Sequence, residues 1–448
     1  MFLIQQSWLM QSIWMILFLV LILFYPKYML YKMIADMDSV ARKLETYTKE
    51  GVDLVVKVSK EKGKPKIDPK AVVESAIEFF LIPPVSLDPV GILKKLEHVL
   101  DNAEDKFESI AKEIAPKSDD IWNANIISLL KGAIGLNMIA KIVRHYVEFV
   151  KKTGNLQIAM FMQMQMPLIK KIAKAQREGV EAISKGEPLG DSIGALVAAN
   201  MIRGDVATIA KDVVYHETDI SGRKVYIIKA DGPGANLGKL GDAVKKIGEE
   251  KKIDKIITID ASLKLEGEET GKVCEGVGAA IGDPGPEKAK MEEIALKLGI
   301  PLEALAIKMS IEEAISPLTK KMEASVGKTL DLIKARVKGV DEKGKVLVVG
   351  VGNTCGIGNS YDVVKDLEFK EAEEEEEEKG FMDNLIKKFA EKMQEKEEIR
   401  EILREEERKA KKKAAEKAKK EAEEEAKKKE VEKKGSKRGG EEEKVRAK

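Results

Sequence analysis

Charged residues are absent from Trp8 to Tyr25, where "WLMQSIWMILFLVLILFY" runs as one apolar stretch. A helix of that length just crosses a bilayer, and Trp8, Trp14 and Tyr25 suit the membrane interface. Residues 1–26 are therefore read as a transmembrane anchor. No Lys or Arg precedes Lys27, and "YPKYMLYK" offers no small-residue cleavage site, so the stretch does not read as a cleaved signal peptide. Lys27, Lys32, Arg42 and Lys43 all follow the span. By the positive-inside rule the expectation is a single-pass protein of the cell membrane with its body in the cytoplasm.

From 27 to about 157 the apolar period is helical throughout. In "LDPVGILKKLEHVLDNAEDKFESIAKEIA", Asp88 and Pro89 supply a cap and a first-turn proline, and Ile92, Leu93, Leu96, Leu100, Phe107 and Ile110 share a face. A second apolar run, Asn125 to Val143, is interrupted by Lys131 and Asn137 and closed by Lys141 and Arg144, which marks a buried bundle helix rather than a span. The methionine run from Met160 to Met166 reads as adaptable core packing ahead of Pro167.

The period changes from about residue 186 within a segment, 158–368, assigned to an α/β domain. Apolar β-rich runs at 224–230, 255–260, 305–309 and 345–351 alternate with helical patterns such as "LGKLGDAVKKIGEEKKI" and "PEKAKMEEIALKLGI". The fold class is thus α/β, a mostly parallel sheet flanked by helices. After it, "EAEEEEEEKG" and alternating Lys and Glu blocks over 369–448 predict a solvated charged helix, coiled-coil-like in its spacing, that fades into disorder.

Composition narrows the function. The chain has 448 residues, 35% charged, yet a net charge of only +1, which argues against a general nucleic-acid binder. High balanced charge with 5% aromatics resembles proteins of hot environments. Cys274 and Cys355 are too few for a disulfide framework and too far apart for a local metal motif, so a reducing compartment fits.

In parallel sheets ligands gather beyond the carboxyl ends of the strands, and here those ends read "ADGPGANLGK", "DASLKLEGEETG" and "GVGNTCGIGN". The first is not a phosphate loop, because Leu240 stands where a Ser or Thr would hold magnesium; Gly234 and Lys239 remain binding candidates in a turn that positions a helix start. The run "KVLVVGVGNTCGIGNS" from 345 to 360 is a buried strand entering a glycine-rich turn without the helix that should follow. Upstream, "GEPLGDSIGALVAANMI" is a turn and a helix lacking its strand. Joined in space they form one strand-turn-helix unit, with Gly190, Gly352 and Asn353 shaping the turn and Asp191 beside it.

That joined unit resembles the "GxGN...DxxG" opening of the spore germination proteases and hydrogenase maturation proteases, and "KIDKIITIDASL" resembles their next fingerprint, a strand ending in Asp-Ala. "ADGPGANLG" is similar to the proline-glycine loop of the germination proteases, and "GVGAAIGDPGPEKAKMEEIALKLGIPLEALAIKMS" to their following segment. The order matches after rotation, which implies a circularly permuted version of that fold over about 186–360. The whole architecture also resembles an uncharacterised archaeal membrane-anchored family. The resemblance implies that Asp191 and Asp260 are a catalytic pair, and the maturation enzymes imply a metal there. No histidine matches their further ligand, since His98 and His145 lie in the helical region and His216 in "VVYHETD".

By residue chemistry alone, two such aspartates either share a proton and activate water or jointly bind a divalent cation, the one cofactor considered. Each also has a structural reading as a helix cap or strand-end acceptor. Two functions follow: a membrane-tethered, peptidase-like hydrolase using Asp191 and Asp260, or a non-catalytic binding or assembly protein whose helical region engages a protein or peptide partner.

Overall fold

The computed structural model describes residues 2–84, 90–282 and 285–371, with three isolated positions in the tail. Residues 1–372 form one compact unit and residues 373–448 a second; the predicted charged helix lies almost wholly outside the described residues.

The N-terminal part is helical. Helix α1 (Phe2–Gly63) runs unbroken through Pro26, so anchor and first bundle helix are one element rather than two. A proline removes only one intrahelical donor, and the helical period on both sides of Pro26 is unbroken. Short α2 (Lys70–Ala76) and α3 (Ile92–Ile114) follow, then α4 (Asp120–Thr153) and α5 (Leu156–Lys185). Caps explain the α4–α5 hairpin: Asp119 accepts from the Trp122 N–H at 2.7 Å, Gly154 ends α4 at φ +64°, and Asn155 starts α5 by accepting from Ile158 at 3.1 Å.

Met37, Ala41 and Leu44 of α1, Val143 and Val147 of α4, and Met162 and Met166 of α5 share one core. The helical layer therefore extends to Lys185, past the boundary at 157 drawn from sequence. Met162 and Met166 pack inward while Met160 and Met164 face out. Helix α4, half buried in its most apolar window, is a bundle helix, although it and α1 are both long and apolar enough to span a membrane.

The α/β part begins with a 3₁₀ turn (Gly190–Ser192) leading into α6 (Ile193–Met201). Strands β1 (Ala207–Ala210), β2 (Val213–Ile220) and β3 (Arg223–Ala230) precede α7 (Leu240–Lys251). Then come β4 (Lys255–Leu263), β5 (Val273–Val277), α8 (Pro286–Leu298) and β6 (Leu302–Met309). Short α9 (Ile311–Ile315) and α10 (Lys320–Glu323) lead to α11 (Ser325–Lys338), β7 (Lys345–Gly350) and α12 (Tyr361–Val364).

The sheet order is β1-β2-β3-β7-β4-β6-β5. The centre, β3-β7-β4-β6, is parallel, whereas β1, β2 and β5 pair antiparallel at the edges. The sheet is therefore mixed, not mostly parallel throughout. Strand β7 is central, and its Val346, Leu347, Val348 and Val349 are fully buried; each contributes about 1.5–3 kcal/mol by leaving water.

Val346 and Val348 pack on the face covered by α6 and α11, while Leu347 and Val349 pack on the face covered by α7 and α8. The chain leaving β7 turns to the first face through α12, and the chain leaving β4 goes to the second through α8. The chain thus leaves these neighbouring strands toward opposite faces, and such a reversal of winding is the usual ligand position in α/β sheets.

Candidate active site

Two glycines set the height of the crest. A side chain at Gly194 would collide with the carbonyl oxygens of Val351 and Ile259, and one at Gly350 with Ala198 and the Gly194 carbonyl. Only bare backbone lets α6 start directly over the ends of β7 and β4. Gly352, at φ +125°, brings the turn after β7 against the Asp191 carbonyl, where a β-carbon could not fit. The strand and the helix start, some 160 residues apart in sequence, thus meet in space.

Asp191 sits in the 3₁₀ turn, half-buried, with Oδ2 accepting from the Asn353 N–H at 3.0 Å. Burial raises its carboxyl above the ordinary range, and that hydrogen bond offsets the effect in part. Asp260 ends the buried stretch of β4 and is 4% exposed. Its Oδ1 accepts from the Ala261 N–H at 2.7 Å, and the Gly282 N–H also supports the carboxylate. Burial first, and the charge of Asp191 second, push the Asp260 carboxyl up to about 7.

Burial and the nearby charge of Asp191 thus both favour the protonated form of Asp260. Asn353 sets the turn that holds Asp191, its Oδ1 accepting from the Cys355 N–H at 2.8 Å. The Thr354 hydroxyl lies 2.8 Å from both the Asp231 and the Gly234 carbonyls, which ties the turn after β7 to the loop after β3.

Gly190, Gly352, Asn353, Asp191 and Asp260 come together; Gly234 and Lys239 serve another surface. Gly234 packs against Ile121 and Ala124 of α4, and the neighbouring Ala235 N–H donates to Asn125 Oδ1 at 2.8 Å. Lys239 Nζ is 2.7 Å from Asp101 of α3. The loop after β3 thus clips the helical layer to the sheet.

The donors at the pair are the two carboxylates alone. Among the described residues, no third His, Cys, Asp or Glu shares reach with Asp191 and Asp260. The one three-carboxylate cluster found, Glu97, Asp242 and Glu287, closes around Lys290 Nζ at 2.6, 2.7 and 3.0 Å and is an ion-pair node. His98 meets Asn102, His145 stacks on Phe149, and His216 Nδ1 lies 2.9 Å from the Asp205 carbonyl.

Sequence reasoning missed Lys229. It ends β3 fully buried, with Nζ 2.7 Å from the Ala230 carbonyl and 2.7 Å from Asn359 Oδ1. Asn359 also accepts from Gly232 and donates to Asp231 at 2.7 Å. Burial lowers the Lys229 ammonium to about 7, against the pull of Asp231. The signal was its place on the same strand face as Val225 and Ile227, inside a run that must be covered on both sides.

No curated protein and no solved structure matches the chain. A model described as the DUF1512 N-terminal domain, a protein of unknown function, matches residues 11–186, and one described as the DUF1512 C-terminal domain matches 189–358. The junction between them falls at the end of α5, where the bundle gives way to the α/β part. The chain belongs to the DUF1512 family.

Proposed function

We propose that this chain is a membrane-anchored protein whose α/β part is a peptidase-like hydrolase using Asp191 and Asp260 as a proton-sharing pair. The observation that carries the reading is two nearby carboxyls, both raised by burial, one to about 7: Asp260 on β4 just past the level where β7 ends, and Asp191 in the turn into α6. The ionised member can take a proton from water as it attacks a carbonyl carbon. The protonated member can donate to the carbonyl oxygen or the leaving amine. The meeting of β7 with the start of α6 agrees with a circularly permuted maturation-protease-like unit, whose acidic pair would fall at these positions.

The anchor reading rests on residues 8–25, and the cytoplasmic orientation on the basic residues that follow them.

A second reading has its own support. The N–H groups of Asn353, Ala261 and Gly282 occupy both carboxylates as they would in a scaffold that kept the fold to bind or assemble partners. The full chain in lipid nanodiscs, offered a pool of quenched fluorescent peptides, separates the two. Hydrolysis abolished by Asp191→Asn and by Asp260→Asn, with the double variant little worse than either, supports the dyad. Hydrolysis that survives both changes refutes the assignment, and a wild type that cleaves nothing in the pool favours the binding protein.

A further inference from the structure

Strand β5 forms one edge of the sheet and pairs with β6. The Gly278 N–H donates to the Leu302 carbonyl at 2.8 Å, which fixes the alternation: Cys274, Gly276 and Gly278 turn their peptide groups toward β6. The N–H and carbonyl groups of Val273, Glu275 and Val277 therefore point away from the sheet, and no described strand lies beyond them. Val277 is 95% exposed. Such an edge is a ready template for one more strand.

Helix α11 runs beside that edge. An open cavity of about 590 Å³ lies between the start of β5 and the α10–α11 segment, bordered by Val273, Lys321, Ser325, Lys328 and Leu332. One turn further along α11, Arg336 pairs with Glu275. Thr270 holds the turn before β5, its hydroxyl accepting from Lys264 Nζ at 2.7 Å and donating to Glu313 at 2.6 Å. A free strand edge with a helix alongside is how sheets take up extended peptides.

Charge says which peptide. Lys272, Lys321 and Lys328 stand exposed on the rim of the cavity, and among the described residues none of the three is in an ion pair. Of the two acids on the rim, Asp331 is 3.4 Å from Lys334, and Glu269 is exposed. Lys272 also acts on Glu268, which lies 3.7 Å from Lys308. The rim is thus left net positive. Cys274 and Asp260 both stand opposite Ala306, so the groove is level with the aspartates. A strand beyond β5 would lie three spacings from β4, about 14 Å, which about four extended residues span.

We infer that this groove takes an extended polypeptide with acidic side chains, which adds to β5 as a further strand and sets its carboxylates on Lys272, Lys321 and Lys328. Main-chain hydrogen bonds supply affinity for many sequences, and the lysines select the acidic ones. The inference deepens the hydrolase reading, on which cleavage of the bound peptide rests.

The test uses the full chain in lipid nanodiscs and fluorescein-labelled decapeptides of Thr-Val repeats ending in three glutamates or in three lysines, followed by fluorescence anisotropy. The glutamate peptide should bind several-fold more tightly, and Lys321→Glu with Lys328→Glu should reverse the preference. Methyl groups on alternate backbone nitrogens of the peptide should abolish binding in one register and spare it in the other, as strand pairing requires. Glu275→Pro removes an outward N–H and should weaken binding several-fold at an unchanged melting temperature, whereas Glu275→Ala, which breaks only the Arg336 pair, should not. The methylated peptides keep the test decisive should Glu275→Pro fail to fold. No binding, equal binding of both peptides, or methylation that acts in both registers or in neither overturns the inference. Self-association in detergent that Glu275→Pro abolishes would give the edge to a second copy and overturn it too. Asp260→Asn should bind like wild type. Binding without cleavage by the wild type keeps the groove and removes the peptidase, and cleavage indifferent to the groove variants does the reverse.

Discussion

The buried Asp260 carboxyl makes a claim about stability that needs no substrate. An aspartate raised from 3.8 to about 7 in the folded protein holds a proton that the unfolded chain has already released. The folded state therefore binds more protons between those values, and stability falls as pH rises from about 4 to about 7, then levels off. At 1.36 kcal/mol per pH unit the full cost is about 4 kcal/mol, and about 2–4 kcal/mol once the proton is shared with Asp191.

Asp260→Asn removes that cost and keeps the Ala261 N–H acceptor at Oδ1. It gives up the acceptor facing Gly282, worth about 1 kcal/mol, equally at every pH. Denaturant unfolding of the full chain in detergent, followed by circular dichroism at pH 5 and pH 8, isolates the titrating part. Wild type should lose about 2–3 kcal/mol relative to Asp260→Asn on going from pH 5 to pH 8. Asp191→Asn should also flatten the profile, since it removes both its own buried carboxyl and the charge beside Asp260. Parallel pH profiles for wild type and Asp260→Asn would show that Asp260 is ionised at little cost, and the proton-sharing pair would go with it.

Lys229 should show the opposite trend. Its folded-state ammonium is lowered to about 7, so the stability it withholds at pH 7 and below returns as pH rises toward 10.5; Lys229→Met should therefore be more destabilising at pH 9.5 than at pH 7 in the same unfolding assay. Gly352→Ala should cost about 2–3 kcal/mol in thermal unfolding, since φ +125° is strained for any β-carbon and the Asp191 carbonyl blocks the space; a melting temperature within error of wild type would contradict the close approach.

What could be read from the sequence follows from how many neighbours each element has. The parallel strands β3, β4, β6 and β7 are covered on both faces, so each appears as an apolar run that no other arrangement would explain. The edge strands left weaker traces. Strand β1 has four residues, β5 exposes Glu275, Gly276 and Val277, and β2 alternates through His216, Glu217 and Asp219 because its neighbours shield it less. That is why the mixed character of the sheet was missed.

The candidate site divides along the same line. The positions of Asp191 and Asp260 could be read because one starts a helix behind a glycine turn and the other closes a buried apolar run. Lys229 was not, since a lysine in a strand is ordinarily read as solvent-facing, and its burial depends on Asn359, 130 residues away. A buried cation and a buried acid pair now stand at neighbouring strand ends, the one lowered to about 7 and the other raised to about 7. Each is pushed toward neutrality by its own burial, Lys229 on one face of the sheet and Asp260 on the other, on either side of β7. A fold held together only for stability gains nothing from burying both groups, because replacing either with an apolar residue of similar size would remove a desolvation cost. Their placement at the reversal of winding is the physical argument for looking to these strand ends for chemistry or for recognition of a polar ligand.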